Sequence, residues 1–593
     1  MNHQLFTRWG KNLDTDKPLQ EYPRPQMVRD SYLNLNGYWD YAINFEKKAP
    51  VKYDGKILVP FSPEAFLSGV HRQTRPDEYL HYKTQFTLPE GFLQKRVLLH
   101  FGAVDQVCEV FLNGSRVGSH VGGYLPFCFD ITEYLAKGAN ELTLTVRDYS
   151  DTSYLSRGKQ KLGRGGMWYT AQSGIWQTVW LESVPECCIE RVKLDPDYDN
   201  GSIGIKVFST GHRGKDVRIR IFDGDCEIVS ACMAADKKKD IKIKGFKSWS
   251  PETPHLYHME ITMGEDCVRT YFAMRKFSVG RDEKGILRFM LNNKPYFHNG
   301  LLDQGYWPDG LYTAPTDQAL RYDILKMKEL GFNMIRKHIK VEPARWYYHC
   351  DQIGMLVWQD MVNGGSNYHM KFICFMPNFW MPFGRLVKDN KYRAFARREK
   401  AGRAQYYREL KAAIAHLYNV PSIAAWVPFN EGWGQFDAAE ATARVRKLDP
   451  LRLIDEASGW FDQGGGDMYS IHNYWRRLKV RPRKDRVVAL TEYGGYSRRI
   501  EGHSFCSEVY GYRIYQTKQE LTKGYRELLE TDIIKGISKG LCGTVYTQVS
   551  DVEEEVNGLL TYDRDLVKVE EETVKKLNQQ IYEEFKRCTH TGQ

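Results

Sequence analysis

Ile423-Ala-Ala-Trp-Val-Pro-Phe-Asn430-Glu431 is an apolar run that ends in an amide and a carboxyl, and Val487-Val-Ala-Leu-Thr491-Glu492 is a second of similar form. A charge that ends a buried strand is costly to desolvate, so two such ends single out Glu431 and Glu492. Six further short runs accompany them: Tyr296-Phe-His-Asn-Gly-Leu301, Phe332-Asn-Met-Ile-Arg336, Met355-Leu-Val-Trp-Gln-Asp360, Arg452-Leu-Ile-Asp455, Met468-Tyr-Ser-Ile-His472 and Cys542-Gly-Thr-Val-Tyr-Thr-Gln548. Helical patterns at Asp317–Leu330 and Glu342–Gln352 lie between the earlier ones. Eight strands separated by helices over 281–593 predict a (β/α)8 TIM barrel.

Upstream the pattern is all β. Tyr82-Lys-Thr-Gln-Phe-Thr-Leu88 and Glu141-Leu-Thr-Leu-Thr-Val-Arg147 alternate with period two, and Asn113-Gly114 is a hairpin turn signal. Residues 1–187 are expected to form a two-sheet, jelly-roll-like β-sandwich, and 188–280 a smaller immunoglobulin-like β-sandwich. Within the barrel, 362–400 shows no clear helical period and carries Tyr368, Phe372, Phe375, Phe379, Trp380 and Phe383. A long aromatic loop on the carboxyl side of a barrel strand is a candidate lid or pocket wall.

Composition narrows the function. The 593 residues carry a formal charge of +10, modest for this length, and the basic stretches at Lys237–Lys239 and Arg476–Arg486 read as solvated edges or loops. No nucleic-acid partner is expected. No run is long and apolar enough for a bilayer, and Met1–Gln26 lacks the apolar core of a signal peptide. The twelve cysteines form no paired ligand pattern, so a reducing cytoplasm is expected. No cofactor and no metal are expected, because the chain has no HExxH and no phosphate-binding Gly-rich loop leading into a helix. The acidic run Glu553-Glu554-Glu555 reads as a solvated loop, or as one lining the pocket.

Catalytic groups of a barrel sit where its strands end on the carboxyl face. Two carboxyls facing each other there are the equipment for glycosidic cleavage: one donates a proton to the leaving oxygen, and the other attacks the anomeric carbon. The same rim carries Asp303 and Trp307 after strand one, Arg336 and His338 after strand two, Asp360 after strand three, Asn430 and Trp433 around strand four, and His472 and Tyr474 after strand six. These are the candidate substrate-binding residues.

Asn430-Glu431 after strand four and Thr491-Glu492-Tyr493-Gly494 after strand seven resemble the acid/base and nucleophile motifs of glycoside hydrolase family 2. Gly174-Ile-Trp-Gln-Thr-Val-Trp180 and Phe111-Leu-Asn-Gly114 resemble that family's first domain, and the domain order is similar too. The resemblance implies that Glu431 is the acid/base, Glu492 the nucleophile and Asn430 the partner of the sugar 2-hydroxyl. It implies that Arg336 supports the nucleophile and that Tyr474 or His472 holds it by a hydrogen bond. A small β-linked glycoside is the implied partner, with β-galactoside the first expectation. β-Glucoside, α-L-arabinofuranoside and β-glucuronide follow, as do transglycosylation and, in another class, non-catalytic carbohydrate binding. Homo-oligomerisation through the sandwich domains is a family habit.

The chain also departs from the family. β-Galactosidases of the family carry a histidine- and acid-rich run after strand one, where this chain reads Asp303-Gln304-Gly305-Tyr306. β-Glucuronidases use an Asn-x-Lys clamp, where this chain reads Asn557-Gly558-Leu559. Lys337 is the cation that could stand in for that lysine.

Overall fold

Period-two alternation places the sandwich cores. In Ala139–Arg147 the side chains of Leu142, Leu144 and Val146 are buried, and the strand pairs antiparallel with Tyr79–Thr87 and Val107–Leu112. A computed structural model describes residues 4–211, 215–380 and 382–589. Its first sandwich packs a six-stranded sheet on a four-stranded one. The six run Gly55–Val59, Gly37–Asn44, Tyr79–Thr87, Ala139–Arg147, Val107–Leu112 and Ser115–Val121 across the sheet. Leu33–Asn34, Val179–Val184, Arg96–Phe101 and Phe127–Asp130 make the four. Asn113 and Gly114 both have positive φ, 51° and 79°, the geometry that a two-residue turn between twisted strands requires.

The second sandwich sets Ile189–Asp197, Ser202–Ser209 and Lys238–Lys242 against Cys226–Ala234, Asp216–Asp223, Tyr257–Met263 and Asp266–Phe272. Its core is aliphatic, with Ile205, Val207, Ile219, Ile221 and Ile261 all buried. The basic stretch is an edge strand there, with Lys238, Lys239 and Lys242 exposed, where charge discourages pairing with another chain.

Eight parallel strands form the barrel: β1 His298–Asp303, β2 Met334–Lys337, β3 Leu356–Asp360, β4 Ile423–Val427, β5 Leu453–Ile454, β6 Met468–Asn473, β7 Val487–Gly494 and β8 Leu541–Thr547. They are bonded in the order β5-β4-β3-β2-β1-β8-β7-β6. Among the described residues no ladder joins β5 to β6. Helices α1 Asp317–Glu329, α2 Ala344–Ile353, α3 Lys400–Leu417, α4 Ala438–Leu448, α5 Lys518–Leu528 and α6 Glu571–Thr589 surround them. Thr316 caps α1 by accepting from Ala319 N, and Thr517 with Glu520 forms a capping box on α5.

Two expected helices are missing among the described residues, between β5 and β6 and between β6 and β7. Gly464-Gly465-Gly466 interrupts the first connection and Pro482 the second, and both residue types oppose a helix interior. The hairpin of Phe277–Arg281 and Leu287–Leu291 straddles the expected 280/281 boundary. Its Phe289 and Leu291 pack against Leu302, Met334, Trp358, Ala425 and Val545, so the barrel is filled from that end. The 362–400 segment folds into short helical turns at Lys371–Phe375, Met376–Phe379 and Pro382–Leu386. Phe372 and Phe383 pack against Phe395 and Phe461, while Phe375, Phe379 and Trp380 are exposed. Among the described residues no helix is long and apolar enough to cross a membrane.

Candidate active site

Irregular strand ends aim the key side chains. After β4 the chain continues as Phe429–Asn430, paired with Ala457–Ser458, and Glu431 N donates to Ser458 O. Glu431 itself has φ +50°, a left-handed conformation that costs a non-glycine residue energy and that clusters at functional sites. Gly432 follows with φ +78°, and a Cβ there would stand 2.6 Å from the Phe461 ring. In β6 and β7 the register slips between Ile471 and His472, so that His472 lies opposite Glu492. Such slips re-aim side chains at a strand's end.

These turns bring the carboxyls together. One carboxylate oxygen of Glu431 and one of Glu492 lie within 4.8 Å of each other, with an imidazole nitrogen of His472 inside the same limit. His472 Nδ1 is 2.7 Å from Glu431 Oε1 and 3.5 Å from Glu492 Oε2, and its Nε2 is 3.0 Å from Ser458 Oγ. Trp433 Nε1 donates to Glu431 Oε2 at 3.1 Å. Tyr474 OH donates to Glu492 Oε2 at 2.6 Å, and Arg336 Nη1 lies 3.3 Å from Glu492 Oε1.

Behind the pair is a buried polar layer. Arg336 donates to Asp360 through Nε and Nη2 at 2.9 and 3.1 Å, to Asn430 Oδ1 at 2.9 Å, and to Ser458 Oγ at 2.9 Å. His338 Nδ1 is 2.7 Å from Asp360 Oδ2. Burial works against the Arg336 charge, but Asp360 and Glu492 outweigh it and hold the guanidinium protonated. Burial holds His338 well below the usual histidine value, with the charge of Lys159 adding to the effect. Burial, and then the charge of Glu492, keeps the Tyr474 phenol protonated and therefore a donor. Burial alone would push the Glu431 carboxyl up. The His472 and Trp433 contacts and the Lys159 charge outweigh it, and hold the carboxyl below its ordinary value.

Nine of the eleven candidates thus form one network: Glu431, Glu492, Asn430, Arg336, His338, Asp360, Trp433, His472 and Tyr474. Asp303 and Trp307 stand outside it. Asp303 Oδ2 pairs with Lys337 at 2.5 Å, and its Oδ1 accepts from Gly305 N. Trp307 is buried under the Arg564 guanidinium at 4.1 Å and against the edge of Trp9, so it offers no stacking face. Lys337 is not the substitute cation either, because Asp303 and Glu342 enclose it in full burial.

The sequence reading missed Ser458, which links Arg336 to His472, and the contribution of the first sandwich to the rim. Trp168 packs edge-on against Trp433 and stacks on Tyr368, making an aromatic wall beside Glu431. Glu553 accepts from Thr170, Glu554 from Arg164 and Glu555 from the Tyr169 phenol. The acidic run after β8 therefore docks the first sandwich onto the barrel. His503, Asp563 and Asp565 form a second cluster of metal-type side chains, in which His503 Nδ1 lies 2.7 Å from Asp563 Oδ2.

Known proteins resemble the chain over most of its length. Residues 44–185 match the sugar binding domain of glycosyl hydrolases family 2, 188–275 the family 2 domain that follows it, and 286–479 the family's TIM barrel domain. A β-galactosidase of Photobacterium profundum is 28% identical over 431 residues, covering 69% of this chain and 38% of that protein. A putative β-glucuronidase of Formosa agariphila is 26% identical, covering 64% of this chain and 34% of that protein. The chain thus spans well under half the length of these curated relatives. In fold it is similar to the β-D-glucuronidase of Dictyoglomus thermophilum, with a TM-score of 0.72, 17% identity, and coverage of 95% of this chain and 98% of that one. It is also similar to a β-galacturonidase from Eisenbergiella tayi, with a TM-score of 0.69, 17% identity, and coverage of 94% and 99%.

Proposed function

The chain belongs to glycoside hydrolase family 2, and from that membership we propose that it is a retaining, exo-acting β-glycosidase with Glu431 as acid/base and Glu492 as nucleophile. The observation that carries the reading is the buried pair itself: two carboxyls from the ends of β4 and β7 with oxygens within 4.8 Å. Retaining enzymes hold their carboxyls roughly 5–5.5 Å apart, whereas inverting ones leave room for a water between them.

In the first step a Glu492 oxygen bonds to the anomeric carbon as the bond to the leaving oxygen breaks, and Glu431 gives that oxygen its proton. The products are the free aglycone alcohol and a glycosyl ester. In the second step Glu431 takes a proton from water, the water oxygen bonds to the anomeric carbon, and the ester bond returns its electrons to Glu492. Two displacements restore the starting configuration. Arg336 and Tyr474 hold the nucleophile carboxyl in place through its two oxygens. Asn430 accepts from Arg336 through Oδ1, which leaves its amide N–H groups for the sugar 2-hydroxyl, a contact that tightens in the transition state.

Domain limits of 1–187, 188–280 and 281–593 belong to the same reading, supported by the limits of the family matches. Twelve cysteines scattered without a paired pattern suit a reducing cytoplasm. The curated relatives include β-galactosidases and a putative β-glucuronidase, so β-galactosides, β-glucosides and uronides all belong in the assay, with α-L-arabinofuranosides. Turnover of that aryl glycoside panel by wild type and by Glu492→Gln tests the reading. One or more sugars cleaved by wild type and spared by the variant is the expected result. Undiminished turnover by Glu492→Gln would overturn the assignment.

A further inference from the structure

Arg157-Gly-Lys159-Gln-Lys161-Leu-Gly-Arg164 gathers four cations in one short loop of the first sandwich. The fold lays this loop on the barrel's carboxyl rim. Arg157 N and Gly158 N donate to Asn363 O, just past β3, at 2.9 and 3.2 Å. A Cβ on Gly158 would stand 3.0 Å from Ile339 O, just past β2. The loop therefore crosses the rim at the ends of β2 and β3, beside the layer that holds His338 and Asp360.

The two arginines of the loop are engaged. The Arg157 guanidinium donates to Gly365 O, and Arg164 pairs with Glu554. Arg336 faces Asp360 and Glu492, and Lys337 faces Asp303 and Glu342. Lys159 differs. Its half-buried ammonium makes no hydrogen bond or ion pair with a described residue, and lies 5.7 Å from the Tyr169 ring centroid. Its charge is felt at both Glu431 and His338. A cation partly withdrawn from water without a counter-ion is unfavourable, and a bound anion relieves it.

We propose that Lys159, supplied by the first sandwich to the barrel rim, recognises an anionic group on the sugar, so that the site takes β-glycosides of a uronic acid. This deepens the glycosidase reading and rests on it. A neutral sugar leaves the ammonium unmatched, whereas a uronate carboxylate completes a charge-assisted hydrogen bond to it. Neutralising Lys159 also removes one of the charges that hold Glu431 ionised, which favours the protonated donor when the acidic sugar is bound.

The test measures kcat/KM for aryl β-glucuronide, β-galacturonide, the matching neutral glycosides and a 6-sulfated β-galactoside. The proteins are wild type, Lys159→Met, Lys159→Arg and Glu492→Gln. Wild type is expected to prefer the uronides. Lys159→Met should lower the uronide-to-neutral ratio about 10- to 100-fold, largely through KM, and Lys159→Arg should restore part of it. Equal effects on both series, or a wild type that prefers neutral sugars, would overturn the proposal. A preference for the sulfate ester over both uronides would assign Lys159 to sulfate and overturn the uronate. Calorimetric titration with free glucuronate, galacturonate and glucose covers an aglycone requirement that the panel does not meet. Uronate binding that Lys159→Met weakens supports the proposal, and absence of uronate binding overturns it. Glu492→Gln reports separately on the glycosidase reading, because it removes the nucleophile and leaves Lys159 in place.

Discussion

Replacing His472 with phenylalanine keeps a ring in place and removes both nitrogens. In the native site Nδ1 is 2.7 Å from Glu431 Oε1, and this contact is the strongest of those that oppose burial and hold the carboxyl below its ordinary value. Without it, burial acts against the Trp433 indole and the Lys159 charge alone, so the Glu431 titration moves up. A hydrogen bond to a charged group is worth about 1.5–3 kcal/mol net, and a shift of one pH unit corresponds to about 1.4 kcal/mol. The expected rise is therefore about one to two pH units. Glu431 must carry a proton when the leaving group is poor, so the alkaline limb of kcat/KM moves up by the same amount. Profiles from about pH 4 to about pH 9 with a phenyl glycoside and a 2,4-dinitrophenyl glycoside read this out, because dinitrophenolate departs without a proton. A limb that stays in place or moves to lower pH for the phenyl glycoside would refute the reasoning. So would equal movement for both substrates, since that would place the titration on a group other than the proton donor.

Arg336→Met strands Asp360 and Glu492 without their cation in full burial, and removing one partner of a buried ion pair costs about 3–5 kcal/mol. A lower denaturant midpoint together with lost turnover is expected, with little recovery in Arg336→Lys because lysine lacks the guanidinium fork; an unchanged midpoint would contradict it. Burial pushes the Glu64, Asp105 and Asp351 carboxyls each up to about 7, against unfolded values of about 4. The folded chain then holds protons that the unfolded chain releases between those values, so stability falls as pH rises through that window. Glu182 and Asp317, held low despite their burial by arginine and histidine partners, contribute in the opposite sense, and their stabilisation is lost only as pH drops below the carboxylate range. Thermal unfolding is expected at lower temperature near pH 8 than near pH 5, less steeply in Glu64→Gln, and a flat or rising trend would contradict it.

The facing carboxyls of the site were legible because Glu431 and Glu492 each end an apolar strand, where an unused charge is too costly to keep. Arg336 and His338 were legible for the same reason, and the intervening Lys337 was readable too. Successive strand residues face opposite sides, so a strand that points Arg336 inward sends Lys337 toward the helices. There Lys337 meets Glu342 and lies 4.2 Å from the Trp346 ring centroid. Trp307 misled because an aromatic residue after a barrel strand looks the same in sequence whether it lines a pocket or packs against Trp9. Lys159 and Trp168 were hidden for a different cause. They reach the rim only because one domain docks on another, and docking leaves no periodic mark on either segment. The run of cations from Arg157 to Arg164 was the available sign. The carboxyl-to-carboxyl approach depends on the Gly432 turn and the slip at His472, both of which are tertiary.

The most direct test of the central claim is the mass of the intact protein, followed by peptide mapping, after exposure to 2-deoxy-2-fluoro glycosides with a dinitrophenyl leaving group in the uronic and neutral series. The fluorine slows both formation and breakdown of the glycosyl ester, whereas the dinitrophenyl leaving group speeds formation alone, so the intermediate accumulates. The account predicts one added sugar residue, carried on the peptide that contains Glu492 and absent in Glu492→Gln. An adduct on any other residue, or turnover of the parent glycoside with no adduct and with inverted product, would contradict it.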